Sequence, residues 1–212
     1  MKEDLHIHSK FSDGINSPEE IILAAIKHKF NRICITDHVR RTTAWLSAFS
    51  KEINILKKRY SDKITVMSGI EAKVIDLKGN LDILPEFKNQ VDLIFGAFHR
   101  IPKGSAVYYK ETETKSIAGV IKKDYIKSFL NLLKNPYLDI IAHPTRILQI
   151  MNIELTDDDM YTIAKAAQKS NKTFEYNTTY NLPNEKFFKI LKNHNIKFII
   201  GSDSHSIEGI KP

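Results

Sequence analysis

Asp4-Leu5-His6-Ile7-His8-Ser9 near one end and Gly201-Ser202-Asp203-Ser204-His205 near the other decide how the chain between them is read. Both are short apolar runs that finish in metal-competent side chains. In a strand, residues two apart share a face, so His6 and His8 point the same way, and Asp203 and His205 repeat that spacing. Between these segments five more β-rich runs alternate with helical patterns. They exit in Asp37-His38, Gly69-Ile70-Glu71, Phe98-His99-Arg100 and His143-Pro144, and the sixth run carries Glu175 and Asn177. Every expected strand thus delivers a polar group at or near its C-terminal end. In an open doubly wound sheet such groups gather near one switch point. Spread over all strands, they converge only if the sheet closes into a barrel. The expectation is an α/β chain folded as one (β/α)7 barrel domain over residues 1–212.

The intervening segments agree with this order. Strands are expected over residues 4–9, 32–36, 64–70, 91–98, 138–142, 172–176 and 197–200. Ser17-Pro18-Glu19-Glu20 reads as an N-cap, a proline at the first helical position and acids in the first turn. Helices are expected from there to about residue 29, and over 43–59, 117–134, 156–170 and 183–194. Gly79-Asn80 marks the turn of a small hairpin within 72–83.

Six of the eight histidines fall at or just past strand ends; His28 and His194 are read as surface residues of helical segments. Imidazole with carboxylate suits Zn, Mn or Fe(II) and is too rich in nitrogen for a dedicated Ca or Mg site. The nine candidates His6, His8, Asp13, His38, Glu71, His99, His143, Asp203 and His205 are too many for one ion and suffice for two to three divalent ions. Clustered ions roughly 3.5–4 Å apart are an apparatus for phosphoester hydrolysis.

Composition sets the outer bounds. The 212 residues are 42% hydrophobic and 27% charged, as in a globular domain. No run approaches the ~20 apolar residues of a membrane span, and the charged N-terminal segment lacks an apolar signal region, so a cytoplasmic protein is expected. The sequons at Asn171 and Asn177 then carry no weight. The single cysteine, Cys34, sits in an apolar run and reads as a packed, inert thiol. A formal charge of +7 suits anionic partners, but the lysines are scattered over helical segments, so nucleic acid is not the favoured partner.

Taken in order, DLHIHSKFSDG, ITDH, GIEA, FH, AHP and GSDSH resemble the polymerase and histidinol phosphatase (PHP) family, in its small stand-alone forms, from Asp4 to His205. The resemblance implies a distorted (β/α)7 barrel with a trinuclear site. It assigns His6, His8, Glu71 and Asp203 to a first ion. Glu71 would bridge to a second held by His99 and His143, and Asp13, His38 and His205 would hold a third. Family members vary at the position of Asp13. Asp37 is expected to orient a ligand imidazole, and Glu175 and Asn177 either to line the pocket floor or to serve packing or a strand-end cap. The implied chemistry is hydrolysis of a small phosphorylated substrate by a metal-bridging hydroxide. Arg100 and Arg146 are candidate phosphate clamps, with Arg40 and Arg41 nearby. Asp203 or a histidine is a candidate donor to the leaving group. A phosphomonoesterase on a metabolite such as histidinol phosphate leads. A phosphodiesterase or 3'-5' exonuclease and a protein tyrosine phosphatase stay open, and a non-catalytic metal-binding module is disfavoured. The long connection 101–116 is either a lid or a disordered loop. Residues 207–212 are too few for a closing helix, so the last strand is expected to be thinly covered, in a monomer or a weak homodimer.

Overall fold

Runs of β-branched and aromatic residues form seven strands: β1 (Glu3–Ile7), β2 (Arg32–Val39), β3 (Thr65–Lys73), β4 (Leu93–Ala97), β5 (Ile140–Ile141), β6 (Thr173–Asn177) and β7 (Phe198–Gly201). The structure is a computed structural model and describes residues 2–210, without the side chains of residues 113–116. All strand pairs are parallel and the sheet order is the chain order. The exit of β7 returns to β1. Ile7 bridges Ser204, the His8 N–H donates to the Ser204 carbonyl at 2.8 Å, and the Asp203 N–H donates to the His6 carbonyl at 2.9 Å. Successive neighbours and a joined edge make this a distorted (β/α)7 barrel in a single domain, and the open sheet is excluded.

Six helices connect the strands: α1 (Pro18–Lys27), α2 (Leu46–Arg59), α3 (Thr114–Leu132), α4 (Arg146–Ile150), α5 (Asp157–Gln168) and α6 (Glu185–Asn193). α1 starts in the expected place because Ser17 and Glu20 close a capping box ahead of Pro18. Thr156 and Asp159 do the same for α5. α2 begins at Leu46, later than the expected residue 43, without a side-chain cap. α3 departs from helical geometry at Ile117, where the helical pattern was expected to start. The expected hairpin is reduced to one antiparallel bridge, Val74 to Leu81. Residues 101–112 fold back on themselves, with Pro102 bridged to Tyr108 and a 3-10 turn at Glu111–Glu113. The expectation of a lid or loop is answered only that far, since the side chains of 113–116 lie outside the described residues. After β7 a 3-10 turn (Ile207–Gly209) precedes the buried Ile210, while Ile200 on the last strand stays 39% exposed. Lys211 and Pro212 lie outside the described residues. No helix among the described residues is long and apolar enough to cross a membrane.

One core fills the space between helices and barrel; a second fills the barrel floor with Leu5, Cys34, Phe95, Ala97, Ile140 and Ala142. Cys34 is buried there and burial pushes its thiol up to about 12, as an inert thiol requires. A bulge in β1 links floor and site. Asp4 pairs with Ile33 and Ile7 with Ile35, so Leu5 and His6 together face Cys34. Leu5 joins the floor and His6 stands above it, its ring 5.2 Å from that of Phe95. Phe95→Ala would open a void beneath His6. The expected loss is about 3–5 kcal/mol, read from the urea midpoint at unchanged m-value. A loss under about 1 kcal/mol would contradict a packed floor.

Candidate metal centre

The strand exits meet around Glu71, on the inward side of β3 and fully buried. Its Oε1 lies 2.8 Å from His143 Nε2 and 3.1 Å from His99 Nε2. Its Oε2 lies 2.7 Å from His38 Nδ1. His6 and His8 approach from β1 at 3.8 and 3.9 Å. Asp203 enters from beyond β7: Oδ1 is 2.9 Å from His8 Nε2 and 3.6 Å from His6 Nε2. Asp13 closes the outer side, 3.4 Å from His38 Nε2, 3.5 Å from His205 Nε2 and 3.8 Å from His8 Nδ1. All nine expected ligands therefore lie at one mouth.

Their atoms form three overlapping groups: His6, His8 and Asp203; His38, Glu71 and His99; and His8, Asp13, His38 and His205. The partition differs in detail from the one the resemblance implies. His38 stands in two groups through its two ring nitrogens, and so does His8. His143 reaches the second group through Glu71 Oε1.

Side chains around the ligands fix their orientation. Glu175 lies 3.0 Å from His6 Nδ1 and also accepts the His143 backbone N–H. Gly201 makes room for it: a Cβ there would stand 2.1 Å from Glu175 Oε1 and 2.7 Å from the His6 Cβ. Asn177 donates to the same Glu175 oxygen at 3.1 Å. Glu175 and Asn177 are thus not a passive floor; Glu175 turns His6 toward the site. Asp37 departs from its expected role. It accepts from the Ser9 N–H and hydroxyl and from the Ser12 hydroxyl, so it holds the loop that presents Asp13 rather than an imidazole. His143 (φ 24°) and Asp203 (φ 57°) occupy the left-handed region that most side chains avoid, a cost that the surrounding bonds sustain.

The electrostatics favour a cationic occupant. Burial works against charge on Glu71, yet His99, His6 and bonds from His143 and His38 hold it well below the usual carboxylate range. Asp203 is lowered in the same way, against burial, by His6 and His8. Burial also opposes charge on His6, but Glu175, Asp203 and Glu71 outweigh it and raise the imidazole well above its ordinary value. His38 and His143 are raised against burial by Glu71. His8 goes the other way, to about 4, by burial and by repulsion from His6 and His38. Its Nδ1 is buried with no hydrogen-bond partner, and Glu71 Oε2 makes no well-aligned bond although His38 is close. Neutral imidazole nitrogens and carboxylate oxygens left unpartnered inside a ligand cluster fit divalent ions.

A cavity of about 270 Å³ opens onto the cluster, bounded by His38, His99, His143, Asp203, His205, Arg146 and Tyr180. A larger groove along α2 is lined by Ser47, Lys51, Lys58 and Gln90 and contains none of these ligands. Arg146 starts α4, a helix not expected from the sequence, and its guanidinium lies 4.1 Å over the Tyr180 ring. Arg100 is exposed and faces a neighbouring cavity of about 470 Å³ with residues 106–111, Ile147 and Met151. Arg41 pairs with Asp82 at 3.3 Å, and Arg40 is exposed. Sequence reasoning missed Tyr180. Its only signal was its place in the loop after the sixth strand.

Comparison with known proteins agrees with this geometry. The PHP domain family matches residues 4–179. A probable phosphatase of Caldicellulosiruptor bescii is 26% identical over 97% of this chain and 80% of its own length. The Bacillus subtilis DNA polymerase/3'-5' exonuclease PolX is 27% identical over 98% of this chain, which spans 35% of that protein. Among solved structures, the Lactococcus lactis histidinol phosphate phosphatase, complexed with Zn, L-histidinol and phosphate, superposes with a TM-score of 0.70 at 22% identity. It covers 97% of this chain and 87% of its own. At that identity the likeness is one of fold.

The neighbouring carboxylates raise His6, His38 and His143 and so favour their protonated rings, whereas metal ligation requires neutral rings. Zinc loading should release protons, and apparent affinity should strengthen as pH rises through the raised histidines. Calorimetry in two buffers of different ionisation enthalpy checks this; a buffer-independent heat would count against it.

Proposed function

The chain belongs to the PHP domain family and is a metal-dependent phosphoesterase, and on that premise we propose that it hydrolyses a small phosphate monoester at a centre of three divalent ions. The observation that carries this reading is the clustering of the nine candidate ligands, with His38, His99, His143, Asp203 and His205 lining one cavity beside Arg146. Bound ions of this kind activate water and neutralise phosphate charge. His6, His8, Asp13, His38, Glu71, His99, His143, Asp203 and His205 would hold them, with Glu71 central among the histidines. Arg146, at the cavity edge, binds phosphate oxygens that the ions leave free. Asp203, whose Oδ1 faces His6 and His8 and whose carboxyl they hold below the usual carboxylate range, is assigned as a ligand. Arg100 faces the adjoining cavity and is assigned to the leaving-group side of the substrate.

A cavity of about 270 Å³ suits a metabolite-sized ester. Histidinol phosphate is the first candidate, because the related fold from Lactococcus lactis holds L-histidinol and phosphate together with Zn. The single, buried Cys34 is consistent with a cytoplasmic setting. Phosphodiester cleavage is the second reading, favoured by the likeness to the exonuclease-bearing polymerase over 98% of the chain.

The test compares p-nitrophenyl phosphate with bis-p-nitrophenyl phosphate, with Zn, Mn or Fe(II) supplied and a chelated control. Chelator-sensitive cleavage of the monoester is expected, and Glu71→Gln should lower kcat by about 100-fold or more. Preference for the diester would transfer the assignment to the second reading. Cleavage of neither, under any of the metals, would refute the enzymatic assignment.

A further inference from the structure

Tyr180 sits at the tip of a tight loop after β6. Asn177 and Leu182 exchange backbone bonds across the loop base, at 2.8 and 3.2 Å. Inside it, Asn177 Oδ1 accepts the N–H groups of Thr179 and Tyr180 at 3.1 and 3.0 Å. The loop is also tied to the β7 exit. The Thr178 N–H donates to the Gly201 carbonyl at 2.9 Å and the Thr179 hydroxyl to the Ser202 carbonyl at 2.5 Å. The backbone of Tyr180 is therefore fixed beside Asp203. Its hydroxyl donates to Asp203 Oδ2 at 3.1 Å, leaving Oδ1 facing His6 and His8. Its ring carries the Arg146 guanidinium at 4.1 Å and meets His143 edge-on at 6.4 Å.

We propose that Tyr180 is a positioning residue with two separable duties: its hydroxyl aims Asp203 at the ligand cluster, and its ring holds Arg146 over the phosphate position. The second duty rests on the phosphatase reading; the first rests only on metal binding. An arginine on a flexible stem over open solvent loses entropy when it binds an anion, and a stacked ring removes much of that loss beforehand. A carboxylate with one oxygen tethered has one oxygen to offer. At Asp203 the tether holds Oδ2, so that Oδ1 is the oxygen turned to His6 and His8.

The two duties separate by substitution. Tyr180→Phe keeps the ring and removes the tether. Zinc affinity, measured by chelator competition without substrate, should weaken about tenfold. The affinity of zinc-loaded protein for inorganic phosphate, measured by calorimetry, should stay within about twofold. Tyr180→Leu removes both duties, and phosphate affinity should then fall about tenfold. Arg146→Ala should lower phosphate affinity in the parent protein but change it by less than about twofold on the Tyr180→Leu background, because the two residues act as a unit. Additive losses, equal phosphate affinities in the Phe and Leu variants, or unchanged zinc retention in Tyr180→Phe would each overturn the assignment. Should the leucine variant fail to fold, the zinc arm of Tyr180→Phe still decides the tether. Neither readout uses turnover. A parent protein that cleaves no ester yet loses zinc affinity in Tyr180→Phe would remove the phosphatase reading and keep the tether; cleavage without either effect would keep that reading and remove this proposal.

Discussion

The His8 N–H bonds to Ser204 and the Asp203 N–H bonds to His6, and through these two bonds the first strand meets the exit of the last. Everything at the mouth depends on that junction. It places His6 and His8 opposite Asp203 across a seam where the sheet would otherwise be open. Asp4 reinforces it from below, its buried carboxylate accepting the Ser202 N–H at 2.9 Å. Burial raises the Asp4 carboxyl to about 6 even though Ser202 and His6 bonds favour its charge. The buried Asp4 carboxyl thus ties the start of β1 to the exit of β7. Next to it, the β1 bulge converts the ordinary alternation of a strand into two consecutive inward side chains. Leu5 completes the apolar floor while His6 begins the polar layer above it.

That polar layer crowds imidazoles and carboxylates together. Rings 4.3–5.1 Å apart link His8 to His205, His8 to His38, and His38 to His99. Such neighbours cannot all be protonated, and the cluster divides the load unevenly: His6 is raised while His8 is lowered. The carboxylates are held ionised by the same rings. Protons are a poor fit to this arrangement, because each satisfies one or two atoms and leaves others, such as His8 Nδ1, without a partner. A divalent ion satisfies four to six donors at once and requires the imidazoles to be neutral.

The architecture was legible because each strand ended in a chemically distinctive residue, and period-two spacing then assigned His6 with His8 to one face. Capping chemistry gave α1 and α5 their starts. Other features had no local signature. The β1 bulge arises from pairing register with β2, which no single-strand pattern encodes. α4 is five residues long and follows Thr145 in a left-handed conformation without a side-chain cap, so neither periodicity nor capping announces it. Glu175 could be placed on the inward face of β6, but its bond to His6 Nδ1 crosses 169 residues of sequence. Asp37 shows the opposite failure. Its adjacency to His38 suggested a ring-orienting role, yet neighbours on a strand face opposite sides, and it turns away to the loop of Ser9 and Ser12.

The two candidate arginines differ in what stands behind them. Arg146 rises from a helix start, stacks on Tyr180 and bonds Gln149 at 2.8 Å, so its head is fixed on the wall that faces His143 and Asp203. Arg100 follows His99 in the turn beyond the end of β4 and faces the cavity bounded by residues 106–111. A fixed cation beside the ligands suits the transferred phosphate, whose position the chemistry demands be constant. A cation one cavity away suits the part of the substrate that varies. The stack on Tyr180 and the bond to Gln149 thus fix Arg146 beside the ligand cluster, whereas Arg100 faces the adjoining cavity.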